Sequence, residues 1–178
     1  MIGYALCGSY CTHARSLAAL ETLLAAGYEV VPIVSENVYS TDTRFGTAAA
    51  LVGRLEKMCG KPVLHTIVQT EPLGPHLPLD LLIIAPCTGN TLAKLAVGIT
   101  DTAVTMAAKA QLRSDRPVLI GLASNDALSA NLKNLALLSM RKHISFVPLA
   151  ADDPVKKPYS LVCRFDSILD EVQKILPG

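Results

Sequence analysis

Short apolar runs alternate with amphipathic stretches along this chain. Residues 2–7 form the first run, which ends at Gly8-Ser9. An amphipathic segment over 12–26 follows and stops at Gly27, a residue suited to the positive φ of a helix end. Residues 29–34 read as a second strand ending at Ser35, residues 39–45 as a polar turn, and 46–58 as a helix running up to Gly60. A short run at 62–67 predicts a third strand. The loop at 71–78 carries Pro72, Pro75 and Pro78, which exclude a continuous helix or a central strand. Residues 81–85 form the strongest strand signal, with Pro86 as its stop. A long Ala-rich helical region spans 90–112, with a break at 98–101. After it come a strand at 117–122, a helix at 126–140, a short strand at 144–147, an irregular loop at 152–158 and a final amphipathic helix at 166–175.

Strands that alternate with helices imply a parallel sheet with right-handed crossovers. The predicted fold is therefore three-layer α/β, a flavodoxin-like or Rossmann-like parallel sheet with helices on both faces. No repeat or linker divides it, so residues 1–178 read as a single domain.

Composition sharpens this picture. Hydrophobic residues make up 51% of the chain, yet Trp is absent and only five Tyr and three Phe occur, so the core must be aliphatic. Strands buried on both faces have that character. Sixteen basic and fifteen acidic side chains leave a net charge of +1, with no basic stripe for nucleic acid. The apolar run at 81–86 is far shorter than the ~20 residues of a membrane helix. The first residues lack the charged flank of a signal peptide, which points to the cytoplasm. The five cysteines have no zinc-like spacing and read as free thiols of a reducing compartment.

Candidate chemistry gathers at the ends of the predicted strands, where open α/β sheets bind their ligands. Gly8-Ser9, Ser35, Pro86-Cys87-Thr88-Gly89-Asn90-Thr91 and Ala123-Ser124-Asn125-Asp126 follow four different strands. Hydroxyls, amides and small residues of this kind suit a phosphate held at helix amino termini, where backbone donors are open and the dipole favours an anion. The same residues singly are also common caps and turns. Neither GxGxxG nor GxxxxGK[ST] is present, which leaves a mononucleotide rather than a dinucleotide or a P-loop nucleotide.

The segment from Pro86-Cys87-Thr88-Gly89-Asn90-Thr91 through Gly98-Ile99-Thr100-Asp101 resembles the flavin-binding motif of the homo-oligomeric flavin-containing cysteine decarboxylase family, Pro-Ala-Ser-Ala-Asn-Thr followed by an apolar helix and Gly-Ile-x-Asp. The resemblance implies a flavin mononucleotide (FMN) between protomers of a trimer or dodecamer. Gly8, Ser9 and Ser35 would hold the phosphate, with Pro86, Thr88, Asn90, Thr91 and Ser124 along the rest of the cofactor. It also implies catalytic roles for Asn90 and for His65, which stands where the decarboxylases carry a histidine. A histidine at a strand end can equally be a structural hydrogen-bonder. One departure is clear: the substrate-clamping Pro-Ala-Met-Asn is replaced by Leu122-Ala123-Ser124-Asn125.

Further segments, among them residues 39–46, 71–80, 106–110, 125–128 and 152–158, resemble a subgroup of that family, the flavoprotein chains of two-component dipicolinate-forming oxidoreductases. That likeness implies a partner, the A subunit of such an enzyme, which is Rossmann-type and uses NAD(P). It also implies conversion of dihydrodipicolinate to dipicolinate in the mother cell of a spore-forming bacterium. The dicarboxylate would need cations, for which Arg44, Lys156 and Lys157 are the candidates, although they also suit a solvated surface. Two other readings stay open: an independent FMN-dependent cysteine decarboxylase or flavin prenyltransferase, and a non-catalytic chain that activates its partner.

Overall fold

The computed structural model describes residues 1–74 and 76–176; Pro75 of the proline-rich loop and residues 177–178 lie outside them. Four parallel strands form the centre, in spatial order β2 (Val30–Val34), β1 (Ile2–Leu6), β3 (Leu81–Cys87) and β4 (Val118–Ser124). A short β5 (Ile144–Phe146) continues beside the first half of β4, in parallel. Beyond the second half of β4 lies an antiparallel hairpin, β6 (Leu149–Asp153) and β7 (Lys157–Cys163).

Alternation along the strands separates two apolar layers. Ile2, Tyr4 and Leu6 of β1, with Leu81 and Ile83 of β3, face one core together with Leu17, Leu20 and Leu23 of α1 (His13–Ala25) and Ile168 and Val172 of α8 (Ile168–Ile175). Ala5 and Cys7, with Leu82 and Ile84, face the other, against α5 (Gly89–Val97) and α6 (Ala103–Arg113). Both faces of the sheet are covered, as the aliphatic composition requires. The break expected inside the Ala-rich region falls at Gly98, left-handed with φ +78, and Thr102 then caps α6 with a capping box.

Four expectations need correction. The run at 62–67 is not a strand: only Leu64 pairs with β2, through an isolated bridge to Ile33. Pro62 has no N–H to extend the pairing, and Thr66 forms a capping box that starts α4 (Ile67–Thr70). Pro86 does not end β3. The register shifts between Ile84 and Cys87, so a residue without a donor is tolerated, and the Pro86 carbonyl accepts the Cys7 N–H at 3.0 Å. The helix expected at 126–140 is shorter, because the Asp126 carbonyl takes the N–H groups of Ser129 and Asn131 in a turn. Helix α7 spans only Leu132–Ser139. Last, the loop expected at 152–158 is the turn of the β6–β7 hairpin, in which an Asp153 carboxylate oxygen accepts the N–H groups of Val155 and Lys156. The sequence also hid two short elements, α2 (Glu36–Ser40) and α4; α3 (Ala48–Cys59) matches the helix expected there.

A buried polar chain ties three elements beneath the sheet's carboxyl edge. The Ser16 hydroxyl donates to the Ala85 carbonyl at 2.6 Å, and the Tyr4 hydroxyl donates to the Ser16 carbonyl at 2.9 Å. Burial pushes the Tyr4 phenol well above its ordinary range, so it stays a neutral donor. Ser16→Ala leaves the Ala85 carbonyl unpaired and should cost about 1–3 kcal/mol. A lower urea midpoint with an unchanged denaturant slope is the expected result, and an unmoved midpoint would show the bond to be dispensable.

Candidate functional site

Strand order reverses between β1 and β3: the chain moves outward from β1 to β2, then returns past β1 to β3 and β4. Ligands in open α/β sheets bind at such a point, outside the carboxyl ends of the strands. A cleft of about 750 Å³ opens there, within the ~300–1,000 Å³ usual for small organic ligands. Its walls are the turns after β1 (Gly8, Ser9), β3 (Thr88, Gly89, Asn90) and β4 (Ser124, Asn125, Asp126), with Arg15, Arg44 and Lys157 at its sides.

Each turn is set by local bonds. After β1, desolvation of buried His13 lowers its pKa, and its Nε2 pairs with the Cys7 carbonyl at 2.9 Å. Thr12 donates its hydroxyl to the Ser9 carbonyl at 2.8 Å. The Tyr10 ring lies over Gly8, 3.5 Å from where a Cβ would stand, and its hydroxyl donates to the Asn37 carbonyl at 3.1 Å. Tyr10 thus spans the ground between this turn and α2. After β3, Thr88 caps α5 by accepting the Thr91 N–H at 3.2 Å. That leaves the amides of Gly89 and Asn90 as the remaining first-turn donors. Thr91 turns inward and donates to the Cys7 sulfur at 3.3 Å, while burial pushes the Cys7 thiol up to about 11.

After β4 the polar groups form a chain. Asn134 donates its side-chain amide to Asn131 Oδ1 at 2.9 Å, and Asn131 donates to both oxygens of Asp126 at 3.0 Å. Ser124 donates its hydroxyl to Asp126 Oδ1. These bonds, Ser124 first and Asn131 second, hold Asp126 below the usual carboxylate range.

The sequence candidates divide in two. Gly8, Ser9, Thr88, Asn90, Ser124, Arg44 and Lys157 all line the cleft. Ser35 stands at the same sheet edge but caps α2 through the Val38 N–H, outside the lining. Pro86 is buried beneath it and Thr91 faces the core. His65 sits beyond the β2 edge, its ring stacked on Tyr39 at 3.5 Å, and Lys156 lies in the hairpin turn; neither lines the cleft. Lys157 is already paired with Asp152 at 2.8 Å. Arg44 lies over the Phe45 ring and Arg15 over Phe165, and neither has a carboxylate within ion-pair distance among the described residues. Arg15 and Asn131 were missed in the sequence, and Asp126 was named only within its strand-end turn; the five-residue Asp-to-Asn spacing in an otherwise small and apolar stretch was the available signal.

A turn-lined cleft at the switch point of a doubly wound sheet, edged by Arg15 and Arg44, stands where open α/β sheets take their ligands. The family model described as Flavoprotein matches residues 2–176, and the chain belongs to that flavoprotein family. Within it, the chain is 47% identical over 175 residues to the B subunit of dipicolinate synthase from Bacillus subtilis (strain 168), covering 98% of this chain and 88% of that protein. The crystal structure of the dipicolinate synthase B subunit from Bacillus halodurans C superposes with a TM-score of 0.90 at 39% identity, over 99% of this chain and 91% of that one. The fold extends to Burkholderia xenovorans DmrB, solved in complex with FMN and described as a cubic protein cage for redox transfer. There the TM-score is 0.71 at 20% identity, over 97% and 93% of the two chains. No helix among the described residues is long and apolar enough to cross a membrane.

Proposed function

We propose that this chain is the FMN-binding component of a dipicolinate synthase, acting with a nicotinamide-using A subunit in the cytoplasm of a spore-forming cell. The observation that carries the reading is the convergence of the turns after β1, β3 and β4 on one cleft that also holds the unpaired Arg15 and Arg44. A phosphate fits the Gly8-Ser9 turn, and the ribityl chain and ring fit the hydroxyl- and amide-lined wall of Thr88, Asn90 and Ser124. Absence of a dinucleotide fingerprint supports FMN over a dinucleotide flavin.

Conversion of dihydrodipicolinate to dipicolinate removes a hydride and a proton from the ring. A bound flavin supplies hydride-transfer chemistry, with the partner's nicotinamide as the final acceptor. The chain's own residues bind and orient. Arg44, with Arg15 and Lys157 beside it, neutralises the two substrate carboxylates, and the open amides of α5 hold the cofactor. The chain works as a homo-oligomer, a trimer or dodecamer.

The test is spectroscopic. Protein purified from cells, or titrated with FMN, should carry a flavin spectrum that bleaches anaerobically when substrate is added with both components present. Retained colour without bleaching would sink the redox role. A colourless protein that still stimulates its partner would instead make it a non-catalytic activator.

A further inference from the structure

The polar chain behind Ser124 has a direction, and direction decides what the cleft accepts. Asn134 donates to Asn131 Oδ1, which turns the Asn131 amide nitrogen toward Asp126. Asp126 therefore receives donors from Asn131 and from Ser124 and has none of its own to offer. Ser124 spends its only proton on that carboxylate. What it and Asp126 can present to the cleft is lone pairs and a negative charge.

The geometry points to Asp126 as a positioning and specificity-determining residue: with Ser124 it forms an acceptor-only subsite that takes an N–H or O–H donor of the ligand and repels carboxylate and phosphate. This rests on the flavin and dicarboxylate reading above, and deepens it. The lining is of two kinds: Ser124 and Asp126 come from the turn after β4, whereas the cations Arg15 and Arg44 come from α1 and from the segment between α2 and α3, with Asp152 held by Lys157. A flavin bound here would offer neutral donors, its ring imide or ribityl hydroxyls, to Ser124 and Asp126, and its phosphate and the substrate carboxylates would be turned away from that pair. Packing reinforces the arrangement: a Cβ on Gly89 would fall 2.6 Å from Ser124 Oγ and 2.9 Å from Asp126 Oδ1, so the start of α5 presses on the pair and holds its rotamers.

Asp126→Asn tests this, because either orientation of the new amide brings N–H donors into the subsite and removes the charge. Affinities are measured for FMN and, in flavin-free protein, for dipicolinate. The expected result is opposed shifts: FMN binds about tenfold more weakly and dipicolinate about tenfold more tightly, a difference of ~1.4 kcal/mol each. Ser124→Ala, which keeps the charge, should weaken FMN without any gain for dipicolinate and serves if the first variant does not fold. Affinities that fall together, or do not move, overturn the inference, since a merely structural residue would loosen both sites alike. A tightening for dipicolinate in a chain that binds no flavin would leave the subsite standing and remove the flavoprotein role. Flavin binding without opposed shifts would do the reverse. Wild-type protein that takes neither ligand removes both.

Discussion

Gly89→Ala is expected to abolish flavin binding and to lower the unfolding midpoint in the same protein. The added methyl would stand 2.6 Å from Ser124 Oγ, 2.6 Å from Asn131 Nδ2 and 2.9 Å from Asp126 Oδ1. None of these is the free end of a flexible chain. Ser124 and Asn131 are both bound to Asp126, and Asn131 is held in turn by Asn134. Relief requires the start of α5 to move away from β4, which shifts the open amides of Gly89 and Asn90 as well. Overpacking of this kind costs about 1–3 kcal/mol, and the lost hydrogen bonds add to it. Flavin affinity should fall by at least 100-fold, about 2.7 kcal/mol. Gly53→Ala is the control, since no atom lies within 4 Å of its Cβ position in α3. It should stabilise the protein by roughly 0.5–1 kcal/mol through helix propensity and leave flavin binding alone. Equal flavin affinity in both variants would show that the α5 start does not touch the cofactor.

The framework that sets up this contact was readable because it is written in local patterns. Strands β1, β2 and β3 carry short, largely apolar runs, and the helices after β1 and β3 end at glycines with left-handed backbone, Gly27 and Gly98. The strand-end turns followed from those boundaries. What failed depended on partners distant in the chain or on local hydrogen bonds that compete with regular helix and strand pairing. Leu64 finds a single bridging partner in β2, so the apolar run at 62–67 carries too little pairing to make a strand. Asp126 and Asp153 each redirect nearby N–H groups, one shortening a helix and the other turning a hairpin. The hairpin matters for the site, because it brings Lys157 to the cleft and pairs it with Asp152. Lys156 and Lys157 are neighbours in sequence and look equivalent there; the hairpin leaves Lys156 in its turn, while Lys157 opens β7 and reaches the cleft. His65 is the converse case. Its position in the motif order suggested a place in the centre, whereas the structure stacks it on Tyr39 beyond the β2 edge.

Arg44→Ala should impair dipicolinate formation while leaving the flavin bound. Three cations line the cleft, but they are not equally available. Lys157 is engaged by Asp152 at 2.8 Å, and that contact raises its pKa while lowering that of the carboxylate, as expected for a mutually neutralising pair. Arg15 rests over the Phe165 ring, 5.5 Å from its centroid, and shares the neighbourhood of Asp152. Arg44 lies over the Phe45 ring, 4.8 Å from its centroid, and makes no ion pair among the described residues, which leaves its guanidinium edge for a carboxylate. A bidentate bond to one arm of the substrate is worth ~1.5–3 kcal/mol. Removing it should therefore raise KM by about 10–100-fold, with kcat little changed if the contact is equal in ground and transition states. Arg44→Lys should recover only part of the loss, because an ammonium cannot match the planar fork. Lys156→Ala, which alters the hairpin turn outside the cleft, should behave as wild type when the chain works within a single copy's site. A raised KM for Lys156→Ala with none for Arg44→Ala would move substrate binding from this cleft to the boundary between copies.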